Sequence, residues 1–121
     1  MKVERMYIEG AQTSAPFLKE IEVMLADTLL TRLAGLMFRQ KLPPATGLML
    51  VPCNSVHMCF MRFAIDVVYI DKEYNIIKVV KNLKPWIGLS MCSKAWAALE
   101  MNAGEAERCG CEVGKKVIVT V

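Results

Sequence analysis

His57-Met58-Cys59-Phe60-Met61-Arg62-Phe63-Ala64-Ile65-Asp66-Val67-Val68-Tyr69-Ile70-Asp71 decides how the rest of the chain is read. It sets the only histidine, two methionines, a cysteine, an arginine and two carboxylates in an otherwise apolar run. The run reads as a buried strand. Side chains alternate between the faces of a strand, so His57, Cys59 and Met61 share one face, and Asp66 falls with Val68 and Ile70. A carboxylate among apolar neighbours is costly unless paired or hydrogen-bonded, so Asp66 needs a partner or a strand end.

Outward from this stretch, turn and strand signals repeat at short intervals. Asp71 to Asn75 is a polar turn between Val67–Ile70 and Ile76–Val80, the pattern of a hairpin. Gly47 to Val51 is apolar on both faces and reads as a central strand. Ile21, Val23 and Leu25 alternate as another strand, and Asp27 or Thr28 caps a short helix ending at Gly35. Trp96, Ala98 and Glu100 mark a further strand. Asn102 to Glu105 has capping-box spacing for a second short helix stopping at Gly110, and Val117–Val121 closes the chain as a β-branched strand. Residues 1–18 carry turn residues and read as a peripheral segment with at most a short edge strand, leaving 19–121 as one β-rich domain. The expected fold is mainly β, a single-domain antiparallel sandwich or barrel with two short helices.

The composition narrows the function classes. With 121 residues, 55% of them hydrophobic, the chain supports one core. No apolar run approaches the roughly 20 residues that cross a bilayer as a helix, and Met1 to Arg5 does not open a signal peptide. A net charge of +3 with no basic run longer than Lys115-Lys116 gives no support to nucleic-acid binding. The five cysteines are odd in number and include no Cys-x-x-Cys pair, which fits reduced thiols and a cytoplasmic location. No phosphate loop, metal-ligand quartet or nucleophile elbow occurs, so no cofactor, metal or catalytic residue is assigned.

Four patches resemble the domain-of-unknown-function family one hundred and ninety-two. They are Arg32-Leu33-Ala34-Gly35-Leu36-Met37-Phe38-Arg39 with Leu42-Pro43 and Gly47-Leu48-Met49-Leu50; His57 with Phe60-Met61 and Ile65-Asp66; Leu83-Lys84-Pro85-Trp86; and Leu99-Glu100-Met101-Asn102-Ala103-Gly104. The resemblance covers about residues 20–119. It implies a compact β sandwich with jelly-roll character and carries no activity. The cysteines fall outside the shared pattern, and Ala64 stands where the family often has proline.

Arg39, His57, Asp66 and Glu100 are the polar members of these patches. They are expected to meet in one small polar pocket, with Met61 and the loop residue Trp86 completing a ligand-binding set. The leading reading is a non-catalytic domain that binds an unidentified small molecule or protein. One alternative is a small hydrolase or transferase using Asp66 and Glu100 as an acid–base pair. Another is copper(I) handling by His57, Cys59 and Met61, nitrogen and sulfur ligands suited to that ion. A carboxylate satisfied by Arg39, His57 or backbone N–H groups favours its ionised form, and that is the expectation for both Asp66 and Glu100. A titration value near 6–7 for either one marks a tuned general acid instead and counts against the non-catalytic reading.

Overall fold

The structure, a computed structural model, describes residues 3–9, 21–26, 42–58 and 61–120. Its strands are β1 (Val3–Ile8), β2 (Ile21–Ala26), β3 (Thr46–Leu50), β4 (Ser55–His57), β5 (Ile65–Ile70), β6 (Ile76–Leu83), β7 (Leu89–Met91), β8 (Ala97–Asn102) and β9 (Val117–Thr120). A five-residue helix, α1 (Glu105–Cys109), lies between the last two. Seven strands form one sheet in the order β6-β5-β8-β3-β2-β1-β9, and β4 and β7 form a separate two-stranded ribbon.

The mainly β expectation holds. The sheet is mixed, because β2 and β3 run parallel while its other pairs are antiparallel, and it curls into a half-barrel. Its edge strands are stitched together at one end. Ile76 N–H donates to Lys115 O, Gly114 N–H to Ile76 O and Val117 N–H to Tyr74 O, each within 2.9 Å. Every residue of β5 is buried, which is why Ile65–Ile70 lacks the apolar–polar alternation of a half-exposed strand.

Both faces of the central strands carry apolar clusters. On one, Met6, Ile8, Val23, Met49, Val68, Ile70, Leu99 and Met101 pack with Ala106 and Cys109 of α1. On the other, Leu48, Leu50, Val67, Tyr69 and Ala98 pack with Leu42, Val56, Met58 and Met61. The β4–β7 ribbon turns Val56 and Ser90 inward and Ser55, His57, Leu89 and Met91 outward.

Several expectations need correction. The 57–71 stretch is not one strand: β4 ends at His57 and β5 begins at Ile65. The chain turns between them, with the Met58 carbonyl accepting from both Met61 N–H at 3.0 Å and Trp86 N–H at 2.8 Å. Nor is the start of the chain peripheral. β1 pairs with both β2 and β9 and buries Met6 and Ile8. The helix expected from 28 to 34 lies outside the described residues, and the second one is present and ends at Gly110 in the left-handed region. Its cap is Gly104 rather than Asn102. Asn102 is instead drawn to Leu42, accepting its N–H at 3.0 Å and donating to its carbonyl at 2.7 Å.

Candidate functional site

Asp66 and Glu100 sit on neighbouring strands but face opposite ways. In the β5–β8 ladder Asp66 stands opposite Met101 and Val67 opposite Glu100. Directly opposed residues share a face. Asp66 therefore belongs with Val68, Leu99 and Met101, while Glu100 points into the cluster beneath the ribbon.

Asp66 is fully buried and fully engaged. One carboxylate oxygen accepts Asn82 N–H at 2.8 Å; the other accepts Gly104 N–H at 2.9 Å and Ala106 N–H at 3.0 Å. The local backbone explains each donor. The β5–β6 register shifts between Ile65 and Val67, and Asn82 takes a positive φ of 55°, which aims its N–H at the carboxylate instead of at the ladder. Gly104, at φ 96°, makes no side-chain cap of its own, so Asp66 satisfies the unpaired N–H groups of the first turn of α1 from another strand. One side chain thus ties together β5, β6 and the β8–α1 corner. With 0% of its surface exposed, it presents nothing to a ligand.

Glu100 is the opposite case. Leu48 and Val67 flank it across the ladder, and 6% of its surface stays exposed. Among the described residues no hydrogen-bond donor or cation pairs with it. Burial alone pushes its carboxyl up to about 7. This corrects the expectation that both carboxylates are satisfied: Asp66 is met by backbone N–H groups, whereas Glu100 has the raised value of a tuned acid without the facing carboxylate that the expected acid–base pair requires.

Close to Glu100 on this face, the Tyr69 hydroxyl donates to Ser90 Oγ at 3.0 Å, and burial raises the phenol above its ordinary value. Cys53 and Cys92 are near enough to add to that shift. Sequence reading missed Tyr69 and Ser90. Their only signal was a hydroxyl in each of two apolar strands.

The other expected site residues do not gather around this point. His57 is exposed on the outer side of the ribbon, whereas Met61 is buried in the inner cluster, so these two do not converge on one ion. The parity that placed them together assumed a strand continuing past His57. Arg39 and Cys59 lie outside the described residues. Trp86 is exposed on the turn before β7. Among the described residues no three His, Cys, Asp or Glu side chains cluster as metal ligands. Cys109 and Cys111 are buried thiols rather than a disulfide, and burial pushes Cys111 up to about 12. An open cleft of about 340 Å³ lies at the far end of β5 from Asp66, lined by Pro52, Asp71, Lys72, Glu73, Lys94 and Trp96. There the Asp71 carboxylate is occupied by Glu73 and Asn75 N–H groups, which hold it below the usual carboxylate range.

The family model for DUF192, described as an uncharacterized ACR, matches residues 10–119. The chain belongs to the DUF192 family. It is 31% identical over 103 residues to a UPF0127 protein of Pyrococcus horikoshii, covering 81% of this chain and 87% of that protein. It is 33% identical over 102 residues to a UPF0127 protein of Pyrococcus furiosus, covering 80% and 85%. Two solved structures share the fold. One is a proposed transcription regulator from Sinorhizobium meliloti, with TM-score 0.82, 22% identity and coverage of 98% of this chain and 94% of that one. The other is a protein of unknown function from Novosphingobium aromaticivorans, with TM-score 0.77, 22% identity and coverage of 94% and 83%. Membership in DUF192 brings a fold without an assigned reaction.

Proposed function

We propose that this DUF192 protein is a non-catalytic small-ligand-binding domain whose recognition group is Glu100. None of the described residues donates to the Glu100 carboxylate, and since no fully buried side-chain oxygen among them is left without a partner, the carboxylate reaches the surface through its 6% exposed edge, where a donor from outside the protein can meet it. A small molecule bearing an amine, amide or hydroxyl group can supply that donor at the exposed edge. The single observation carrying this reading is the contrast in satisfaction: Asp66 holds three donors, and Glu100 has none among the described residues. The test is a thermal-shift panel of small amines, amides and polyols run on wild type and on Glu100→Leu. Compounds that raise the melting temperature of wild type alone support the reading. A panel that shifts neither protein, or both equally, removes it.

A second reading is favoured by the value of about 7 at Glu100, where a carboxyl is matched to proton transfer near neutral pH. In that case the protein is a small hydrolase or transferase with Glu100 acting alone, because Asp66 faces away and is saturated. Turnover of ester or amide probes that disappears in Glu100→Gln is its signature.

A further inference from the structure

Apart from Val3 and Val113, the exposed large apolar side chains of the described residues gather on the outer side of β7 and the turn before it. Trp86 is 56% exposed, Ile87 80%, Leu89 67% and Met91 64%. Leu89 and Met91 fall at alternate positions on the outer side of β7, and Trp86 and Ile87 stand on the turn that leads into it. Nothing in the core needs them outside. The inward residues Val56, Met58 and Ser90 already seal the sheet face beneath, and the Tyr69–Ser90 hydrogen bond pins the strand from within.

The chain segments that carry this ridge hold cations and no carboxylate. Neither the 42–65 segment nor the 74–99 segment contains an Asp or Glu. Arg62, Lys78 and Lys84 in those segments are all exposed, while Lys94 lies at the cleft beside Asp71 and Glu73. Lys78 donates to the Met91 carbonyl at 2.7 Å, placing its ammonium at the end of the ridge. Lys84 lies in the same tight turn as Trp86, its carbonyl accepting Gly88 N–H at 3.0 Å. Arg62 follows Met61, whose N–H shares the Met58 carbonyl with Trp86 N–H.

We infer that this ridge is a docking surface for an anionic lipid bilayer, with Trp86, Ile87, Leu89 and Met91 entering the interfacial layer and the surrounding cations contacting headgroup phosphates. Apolar side chains rimmed by Lys and Arg match the apolar and anionic layers of such a surface, and long basic side chains keep their charge in water while their stems lie against it. The footprint decides against a folded protein partner. Among the described residues the ridge amounts to two strands of three residues and a turn, short of the roughly 20–30 residues a side of a standard interface. A second copy is disfavoured because the same cations would face each other. Docking of this kind is peripheral. Among the described residues no helix is long and apolar enough to cross a membrane.

Co-sedimentation of the full chain with vesicles tests the inference, comparing phosphatidylcholine alone with an equimolar mixture of phosphatidylcholine and phosphatidylglycerol. The wild-type protein is expected to sediment with the anionic vesicles only, with a blue shift of tryptophan emission and a loss of binding at high salt. Lys84→Glu weakens binding by at least about fivefold, the worth of one basic residue near an anionic surface. Ile87→Asp, at a side chain that is 80% exposed and so leaves the fold intact by circular dichroism, abolishes it. Vesicle binding that survives Ile87→Asp without an emission shift overturns the inference in favour of plain electrostatic adsorption. Failure of the folded protein to sediment with anionic vesicles overturns it as well. So does saturable binding to polyglutamate or to duplex DNA in place of vesicles, either of which assigns the ridge to an acidic polymer.

Discussion

Asp66 and Glu100 are the two fully or nearly buried carboxylates of the described residues, one strand apart, and their surroundings differ in every respect that matters. The Asp66 side of the sheet is closed by α1, and its carboxylate is spent on three backbone N–H groups drawn from β6 and from the α1 corner. The Glu100 side is closed by a detached two-stranded ribbon, and its carboxylate lies between Leu48 and Val67 with burial as the one cause acting on its protonation. The comparison separates two uses of a buried charge. Where donors are fixed by backbone, the charge holds the fold together. Where no described residue donates, the carboxylate keeps an edge at the surface, and a proton or an outside donor can act on it.

The largest effect expected from this contrast is at Asp66. Asp66→Ala leaves three N–H groups without an acceptor in the core, and the loss is on the order of 3–5 kcal/mol, measured by chemical denaturation. A variant as stable as wild type would remove the structural role and reopen Asp66 as a ligand group.

Next is Glu100, where the effect depends on pH and has the reverse sign. A carboxyl raised from 4.5 to about 7 keeps its proton in the folded protein over a range where the unfolded chain has lost it. The folded state then binds more protons, so stability falls as pH rises from about 4.5 to about 7 and levels off above. The shift corresponds to about 3 kcal/mol. Glu100→Gln abolishes that slope, and at pH 8 it is more stable than wild type by up to the same amount. Parallel stability–pH curves for the two proteins would break the comparison on this side.

A smaller effect sharpens the view of how the ribbon is held. A Cβ at Gly88 would come within 2.6 Å of Lys84 O and 2.7 Å of Met58 Cγ. Gly88→Ala forces the turn off Met58, and overpacking of this kind costs about 1–3 kcal/mol. Because Met58 belongs to the inner cluster, the variant is also expected to lower the Glu100 midpoint as water reaches the carboxylate. An unchanged midpoint would mean that the ribbon does not shield it. Smallest is Asn102→Ala, which removes two hydrogen bonds to Leu42 at the same end of β8 and costs about 1–2 kcal/mol, read as a shift in melting temperature.

Much of this arrangement is legible in the residues, and the parts that are not have physical reasons. Alternation puts Asp66 with Val68 and Ile70, and its apolar setting demands a partner. The partners are backbone N–H groups 16, 38 and 40 residues away, which no side-chain letter records. Glu100 is recognisable as a carboxylate in an apolar strand, yet its face is not, because a shift of one residue in the β5–β8 register sends every side chain to the other side. The break after His57 carries no glycine or proline, so an apolar run of methionines and aromatics reads as continuous strand. β1 lies between β2 and β9 through pairings with the far end of the chain, which no local pattern encodes. By contrast, the Asp71–Asn75 turn and the Gly110 helix stop are written in local turn chemistry, and both stand where expected.

The division of labour between the two carboxylates is tested most directly by a carbon-13 NMR titration of the Glu100 side-chain carboxyl, assigned by comparison with Glu100→Gln. A midpoint at about 7 is expected, in keeping with a carboxyl raised by burial and left without donors. A midpoint at or below the ordinary 4.5 would mean that Glu100 is as well satisfied as Asp66, and would contradict the assignment of Glu100 as the group that waits for a ligand.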